Sequence, residues 1–240
     1  MDKGKKIKRT LRSIHCKKIT LAVQRLFVEA NRDLGPDVVD ALKASLSREE
    51  SPTGRQVLEK IIENAAIAGR NKMPICQDTG LAVVLAEVGQ DVHVVGGDLR
   101  AALEEGVRQA YREGYLRKSV CDPLSRENTG DNTPAVIHLD IVAGNRLKII
   151  AMPKGGGSEN MSTARMLTPA AGAAGIKKLV LEQVAAAGAN PCPPIIVGVG
   201  IGGALEQACF LAKKALLRPV GQRNKKDERL AQLEEELYVN

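Results

Sequence analysis

From Ile19 to Ala68 the apolar residues recur at helical spacing: Leu21, Val23, Leu26 and Phe27, then Val38, Val39 and Leu42, then Val57, Leu58, Ile61, Ile62 and Ala65. That period predicts three opening helices. The third has Ser51 placed as N-cap and Pro52 as its first helical residue, both suited to a helix start. The pattern then shortens. Leu81 to Val88 and Val92 to Val95 read as strands, and Asp98 can cap a helix running to about Tyr115. Two β-rich runs, Ala135 to Val142 and Arg146 to Met152, are joined by Ala143-Gly144-Asn145, a turn of the kind that closes an antiparallel hairpin. A glycine loop at 155 to 157 follows, then an Ala-rich helix from about Gly175 to Ala187, a short strand Ile195 to Val199 and a helix from about Ala204 to Leu217. The last stretch, from Asn224 on, is highly charged, with Leu230, Leu233 and Leu237 at spacings of three and four, an amphipathic helix cut short. The expected fold is mixed α/β: N-terminal helices, then a mixed sheet with an antiparallel hairpin and flanking helices. No internal repeat is visible.

Length and composition narrow this. A chain of 240 residues with 44% hydrophobic residues can bury a core, most simply as one domain. Aromatic residues are only 2% and tryptophan is absent, so that core must be built from Ala, Val, Leu and Ile packed close to backbone. The formal charge of +7 sits in residues 1 to 18, where eight basic side chains face Asp2, leaving 27 basic and 27 acidic residues in the rest. The chain is therefore expected as a solvated basic leader (1–18) followed by a neutral body (19–240). A neutral body without aromatic platforms argues against nucleic acid as a partner. No apolar run approaches a membrane span and no secretory core follows the leader, which predicts a cytoplasmic protein with no membrane association. Five cysteines, scattered as Cys16, Cys76, Cys121, Cys192 and Cys209, do not read as a disulfide framework.

Candidate chemistry lies in loops. Cys76 falls in Pro74-Ile75-Cys76-Gln77-Asp78-Thr79-Gly80, between a helix and a strand, with an amide and a carboxylate beside the thiol. A soft metal ligand and a buried structural cysteine are both open readings there. Cys192 stands among prolines in Asn190-Pro191-Cys192-Pro193-Pro194, held out of regular structure; cysteine thiolates from separate loops can meet on an iron-sulfur cluster. Cys209 on an apolar helix and Cys16 in the leader read as non-ligands, and Cys121 is ambiguous. Gly198, Gly200 and Gly203 satisfy G-x-G-x-x-G, but the second strand and acid of a dinucleotide site do not follow, so close packing of strand on helix explains them better. Lys154-Gly155-Gly156-Gly157-Ser158-Glu159-Asn160 could present backbone amides to an anion or be a flexible loop. Asn128 to Pro134 is similarly polar and turn-rich. Arg117 could hold a carboxylate through two hydrogen bonds or be an ordinary surface arginine.

Taken together, PICQDTG, YLRKSV, NTGDNTPAVIH, KGGGSENMS, NPCPPIIVGVGIGG and LAKKALLRP resemble the class I fumarase and tartrate dehydratase family, in its alpha subunit or N-terminal catalytic half, over about Ile19 to Glu236. The resemblance implies a hydro-lyase acting on a C4 dicarboxylate, fumarate to malate first, L-tartrate as the alternative. It implies a [4Fe-4S] cluster with Cys76 and Cys192 as two of three cysteine ligands. Asp78 inherits a catalytic role, and Gln77, Arg117, Gly155 and Gly156 inherit substrate binding. It also implies a beta subunit or second domain as partner, and a homo- or hetero-oligomer. Family members continue past LEEEL to the third cluster cysteine, which this sequence lacks, so the chain is expected to be truncated or incompletely recorded. A non-enzymatic alternative is a folded anion-binding or assembly module.

Overall fold

A computed structural model describes residues 11–239. Contacts divide the chain into two compact units, one of residues up to Leu34 with Lys60–Gly156, the other of Gly35–Glu59 with residues from Gly157 on. Eight α-helices and five strands among the described residues make the fold mixed α/β.

The first unit opens with β1 (Arg12–His15) and α1 (Cys16–Ala30). The first ten residues of the basic leader lie outside the described part. Of the rest, β1 pairs in parallel with β3 (Val92–Val95), and Cys16 starts α1 with its side chain buried. The three opening helices are α1, α2 (Pro36–Arg48) and α3 (Pro52–Asn71). Ser51 Oγ accepts the Gly54 amide at 3.2 Å, the N-cap bond its hydroxyl was expected to make. Asp98 does the same for α4 (Leu99–Glu113), accepting the Ala101 amide at 2.8 Å.

α1 packs on α4 because both carry an apolar stripe at helical period. Ile19, Val23 and Phe27 meet Leu103, Val107 and Tyr111, all at most 2% exposed. The helices approach closely at Gly106, where a Cβ would lie 2.6 Å from that of Val23. Thr20 Oγ1 donates to the Ala102 carbonyl across the same seam at 3.0 Å.

This helix pair covers a three-stranded sheet of β2 (Leu81–Gly89), β4 (Val136–Val142) and β5 (Leu147–Lys154), in the order β4-β2-β5. β2 is parallel to β4 and antiparallel to β5. The runs expected to close a hairpin are thus antiparallel neighbours in sequence, but β2 lies between them and they do not pair with each other. The reason is in β2 itself. Ala82 through Ala86 are at most 6% exposed, and a continuous apolar run satisfies its backbone and both faces only at the centre of a sheet. The connection from β4 to β5 arches over the end of β2, where the amides of Gly89, Gln90 and Asp91 donate to the carbonyls of Arg146, Val142 and Gly144 at 2.8 to 2.9 Å. A side chain at Gly89 would overlap the Gly144 carbonyl.

The second unit holds α2, the short helix α5 (Gly156–Asn160) beyond its first residue, α6 (Gly172–Ala187), α7 (Leu205–Ala215) and α8 (Glu228–Val239). Ion pairs tie it together: Lys213 Nζ meets the Glu159 carboxylate at 2.5 to 2.6 Å, and Lys177 meets Glu236 at 2.9 Å. Ile195–Val199 is a correction. No strand forms there among the described residues, and Ile196 and Val197 are half exposed, because β-propensity becomes a strand only where another backbone offers hydrogen bonds. The glycines of that segment do pack closely, as expected. A Cβ on Gly198 would overlap the Ala212 carbonyl, and one on Gly200 the Ala208 carbonyl, both on α7.

Candidate active site

The loop from Pro74 to Gly80 leaves α3 and feeds β2, and its backbone at Ile75 is held by one side chain and one backbone carbonyl. Asn64 Nδ2 donates to the Ile75 carbonyl at 2.8 Å, and the Ile75 amide donates to the Asn31 carbonyl at 2.9 Å. Cys76 and Gln77 are exposed at its crest, and the Asp78 amide points at Cys76 Sγ, 3.4 Å away. Asp78 turns inward. One carboxylate oxygen accepts the Gly80 amide at 3.0 Å and the other accepts the Gly156 amide at 2.9 Å, so this side chain ties the cysteine loop to the start of the glycine loop. Gly80 has φ of +71°, and a Cβ there would meet the Lys154 backbone at 2.5 to 2.7 Å, so only glycine fits.

Behind the loop lies a buried polar core. Tyr111 Oη donates to the Thr79 carbonyl at 2.7 Å, and the Gly80 carbonyl stands 3.0 Å from it. Burial pushes its phenol well above the usual tyrosine range. Thr79 Oγ1 donates to the Arg117 carbonyl at 2.9 Å, which fixes Arg117 beside the cysteine loop. Asn132, fully buried, accepts the amides of Ser119 and Val120 at 2.6 and 3.2 Å and donates to the Gly80 carbonyl at 3.3 Å. Asp131 anchors that turn on α4 through Arg108 Nε at 2.9 Å and accepts both the hydroxyl and the amide of Thr133. Burial works against its charge, but these bonds outweigh it and hold the carboxyl below its ordinary range. The result is an open depression of about 460 Å³ lined by Pro74, Ile75, Cys76, Gln77, Thr79, Tyr115 and Arg117.

The first unit therefore brings together Cys76, Gln77, Asp78, Arg117, Gly155 and Gly156. Cys192 belongs to the second unit, exposed, with φ of +61° beside a cis Pro193–Pro194 bond. Of the other thiols, Cys16 is buried and donates towards the Asp98 carbonyl at 3.6 Å, Cys121 sits in a β-bridge with Asn128, and Cys209 lies on α7. No group of three or more Cys, His, Asp or Glu converges at metal-binding distance among the described residues. Cys76 and Cys192 have the exposure and loop setting of thiolate ligands, yet the described residues do not complete a three-cysteine cluster site.

Two positioning residues, Tyr111 and Asn132, and one lining residue, Tyr115, escaped the sequence. Tyr111 reads as one more apolar position on α4. Asn132 offered a faint signal, an asparagine between Gly-Asp and Thr-Pro where a left-handed residue is favoured; its φ is +62°. Tyr115 follows α4 with φ of +54° and is 89% exposed at the edge of the depression.

The fumarate hydratase (Fumerase) family model matches residues 20–240. A chain of Methanocaldococcus jannaschii, provisionally named L(+)-tartrate dehydratase subunit alpha, is 44% identical over 228 residues, covering 92% of this chain and 79% of that one. The L(+)-tartrate dehydratase subunit alpha of Escherichia coli K12 is 32% identical over 211 residues, covering 86% and 69%. The chain belongs to the fumarate hydratase family, and with it to the hydro-lyases. Both relatives are named as alpha subunits. Among the described residues no helix is long and apolar enough to cross a membrane.

Proposed function

We propose that this chain is the alpha subunit of a cytoplasmic [4Fe-4S] hydro-lyase that reversibly hydrates a C4 dicarboxylate, fumarate to malate. The observation that carries the reading is the tethering of the Arg117 backbone to the cysteine loop by Thr79 Oγ1, which leaves Arg117, Gln77 and the Cys76 thiol lining one depression, next to the inward-turned Asp78. A guanidinium can grip a substrate carboxylate by two parallel hydrogen bonds. Gln77, exposed at the crest, offers an amide donor and acceptor to the substrate hydroxyl. Asp78 is the group we assign to moving the proton, oriented by its two amide bonds. Gly155 and Gly156 form the turn assigned to the second substrate carboxylate, with the Gly156 amide also aiming Asp78.

Cys76 and Cys192 are assigned as two thiolate ligands of the cluster. Cys16, Cys121 and Cys209 are poor candidates for the third, each for the burial or secondary structure already described, and a beta subunit or second domain is assigned the remaining catalytic groups. L-tartrate is the second reading, supported by the names of both relatives. The test is anaerobic cluster reconstitution of the full-length chain with its beta subunit, assayed on fumarate, malate and L-tartrate. Turnover of one of these, with Arg117→Lys raising KM because lysine lacks the planar fork, supports the proposal. A folded complex that hydrates no C4 dicarboxylate sinks it.

A further inference from the structure

β4 is an edge strand: among the described residues it hydrogen-bonds to β2 along one side only. Val142 accepts the Gln90 amide on the β2 side at 2.8 Å. Backbone groups alternate along a strand, so Val136, His138, Asp140 and Val142 turn theirs to β2, and Ile137, Leu139 and Ile141 turn theirs outward. Of the usual devices that blunt an edge it carries one charged carboxylate, Asp140. It has no lysine, proline or bulge, and Val136, Leu139 and Ile141 are 44%, 46% and 74% exposed.

The order of residues names the occupant. Val136-Ile137-His138-Leu139-Asp140-Ile141-Val142 reads the same in both directions except that histidine and aspartate exchange places. We propose that β4 pairs antiparallel with β4 of a second copy of this chain, about a two-fold axis through Leu139. In that register Leu139 faces Leu139 of the second copy, Ile137 faces Ile141, and the outward backbone groups of these residues make about six hydrogen bonds. On the opposite face His138 meets Asp140 twice, an imidazole against a carboxylate on both sides of the axis. The self-complementarity is what an isologous contact requires of one surface patch, and a one-residue slip in either direction loses both charge pairs. The product is a continuous six-stranded sheet. A contact of this length alone belongs to the weak, concentration-dependent class.

The test is sedimentation velocity of the full chain from ~1 to ~500 μM, with residue-resolved amide exchange at both ends of that range. A dimer is expected to protect the amides of Ile137, Leu139 and Ile141 as it forms, leaving those of His138 and Asp140, already on the β2 side, unchanged. Leu139→Lys puts two lysines on the axis and is expected to abolish the dimer with the circular dichroism spectrum unaltered. His138→Asp, which sets carboxylates opposite each other, is expected to weaken it about tenfold, and adding Asp140→His to that variant to restore it. A chain monomeric throughout overturns the proposal. So does a dimer that survives Leu139→Lys, or a double variant as weak as the single one.

Discussion

Replacing Asn132 with alanine should loosen the candidate site from behind while touching no residue assigned to chemistry. The side chain satisfies two backbone amides, Ser119 and Val120, and donates to the Gly80 carbonyl. Alanine leaves both amides without an acceptor, at a cost in the range of 1–3 kcal/mol each for a buried group. Ser119 and Val120 are only half-buried, so water reaches part of the gap and the lower end applies, about 2 kcal/mol for the pair. The Gly80 carbonyl keeps Tyr111 as neighbour and adds little. Alanine at φ of +62° costs about 1 kcal/mol more, since asparagine tolerates the left-handed region and alanine does not. The expected loss is about 3 kcal/mol of unfolding free energy, measurable by urea titration as a lower midpoint at unchanged slope. Amide exchange should also accelerate at Ser119 and Val120 before the α1–α4 core is affected. A loss under about 1 kcal/mol, with those two amides still protected, would refute the reasoning.

Two further outcomes follow from the same region. Tyr115 occupies a left-handed position closing α4, where the Leu116 amide reaches back to the Tyr111 carbonyl and glycine is the usual residue. Tyr115→Gly should therefore raise the unfolding free energy by roughly 1 kcal/mol, read as a higher urea midpoint at unchanged slope, while raising KM if the exposed ring borders bound substrate; a destabilised variant contradicts the strain argument. Tyr111 has its phenol pushed above its unfolded value of 10.0. A raised pKa means the folded state holds the proton longer. The stability this contributes is full below pH 10 and is lost as pH rises through the folded value. Wild type should lose stability above about pH 10 more steeply than Tyr111→Phe, read from urea midpoints across pH 8 to 11; parallel profiles would show that Tyr111 is not the group responsible.

The helices were legible because their signal is local. Ser51, Pro52 and Asp98 announce ends, and a 3.6-residue period announces faces, without knowledge of any distant residue. β2 was legible as a strand, but its place between β4 and β5 was not, because a tight turn such as Ala143-Gly144-Asn145 specifies direction and leaves the partner open. Ile195–Val199 shows the same limit from the other side, apolar and β-branched yet without a strand to join. In the site, Cys76, Gln77, Asp78 and Arg117 stood out by residue type. The residues that hold them did not. Tyr111 and Asn132 act on carbonyls and amides of Thr79, Gly80, Ser119 and Val120, a relation that exists only after the chain has folded.

The position of β2 has a consequence for how the protein is made. Its two sheet partners lie at 136–142 and 147–154, so on the ribosome the segment Leu81–Gly89 emerges long before either is available. At typical synthesis rates of about 5–20 residues per second it waits several seconds, an apolar, charge-poor stretch of high β-propensity with both edges open. Docking against α1 and α4, whose sequences are complete by Glu113, can shelter one face in that interval but leaves its edges open. Variants that weaken the α1–α4 seam at Gly106 should thus aggregate during expression out of proportion to their loss of equilibrium stability, and slower translation past residue 113 should make that worse.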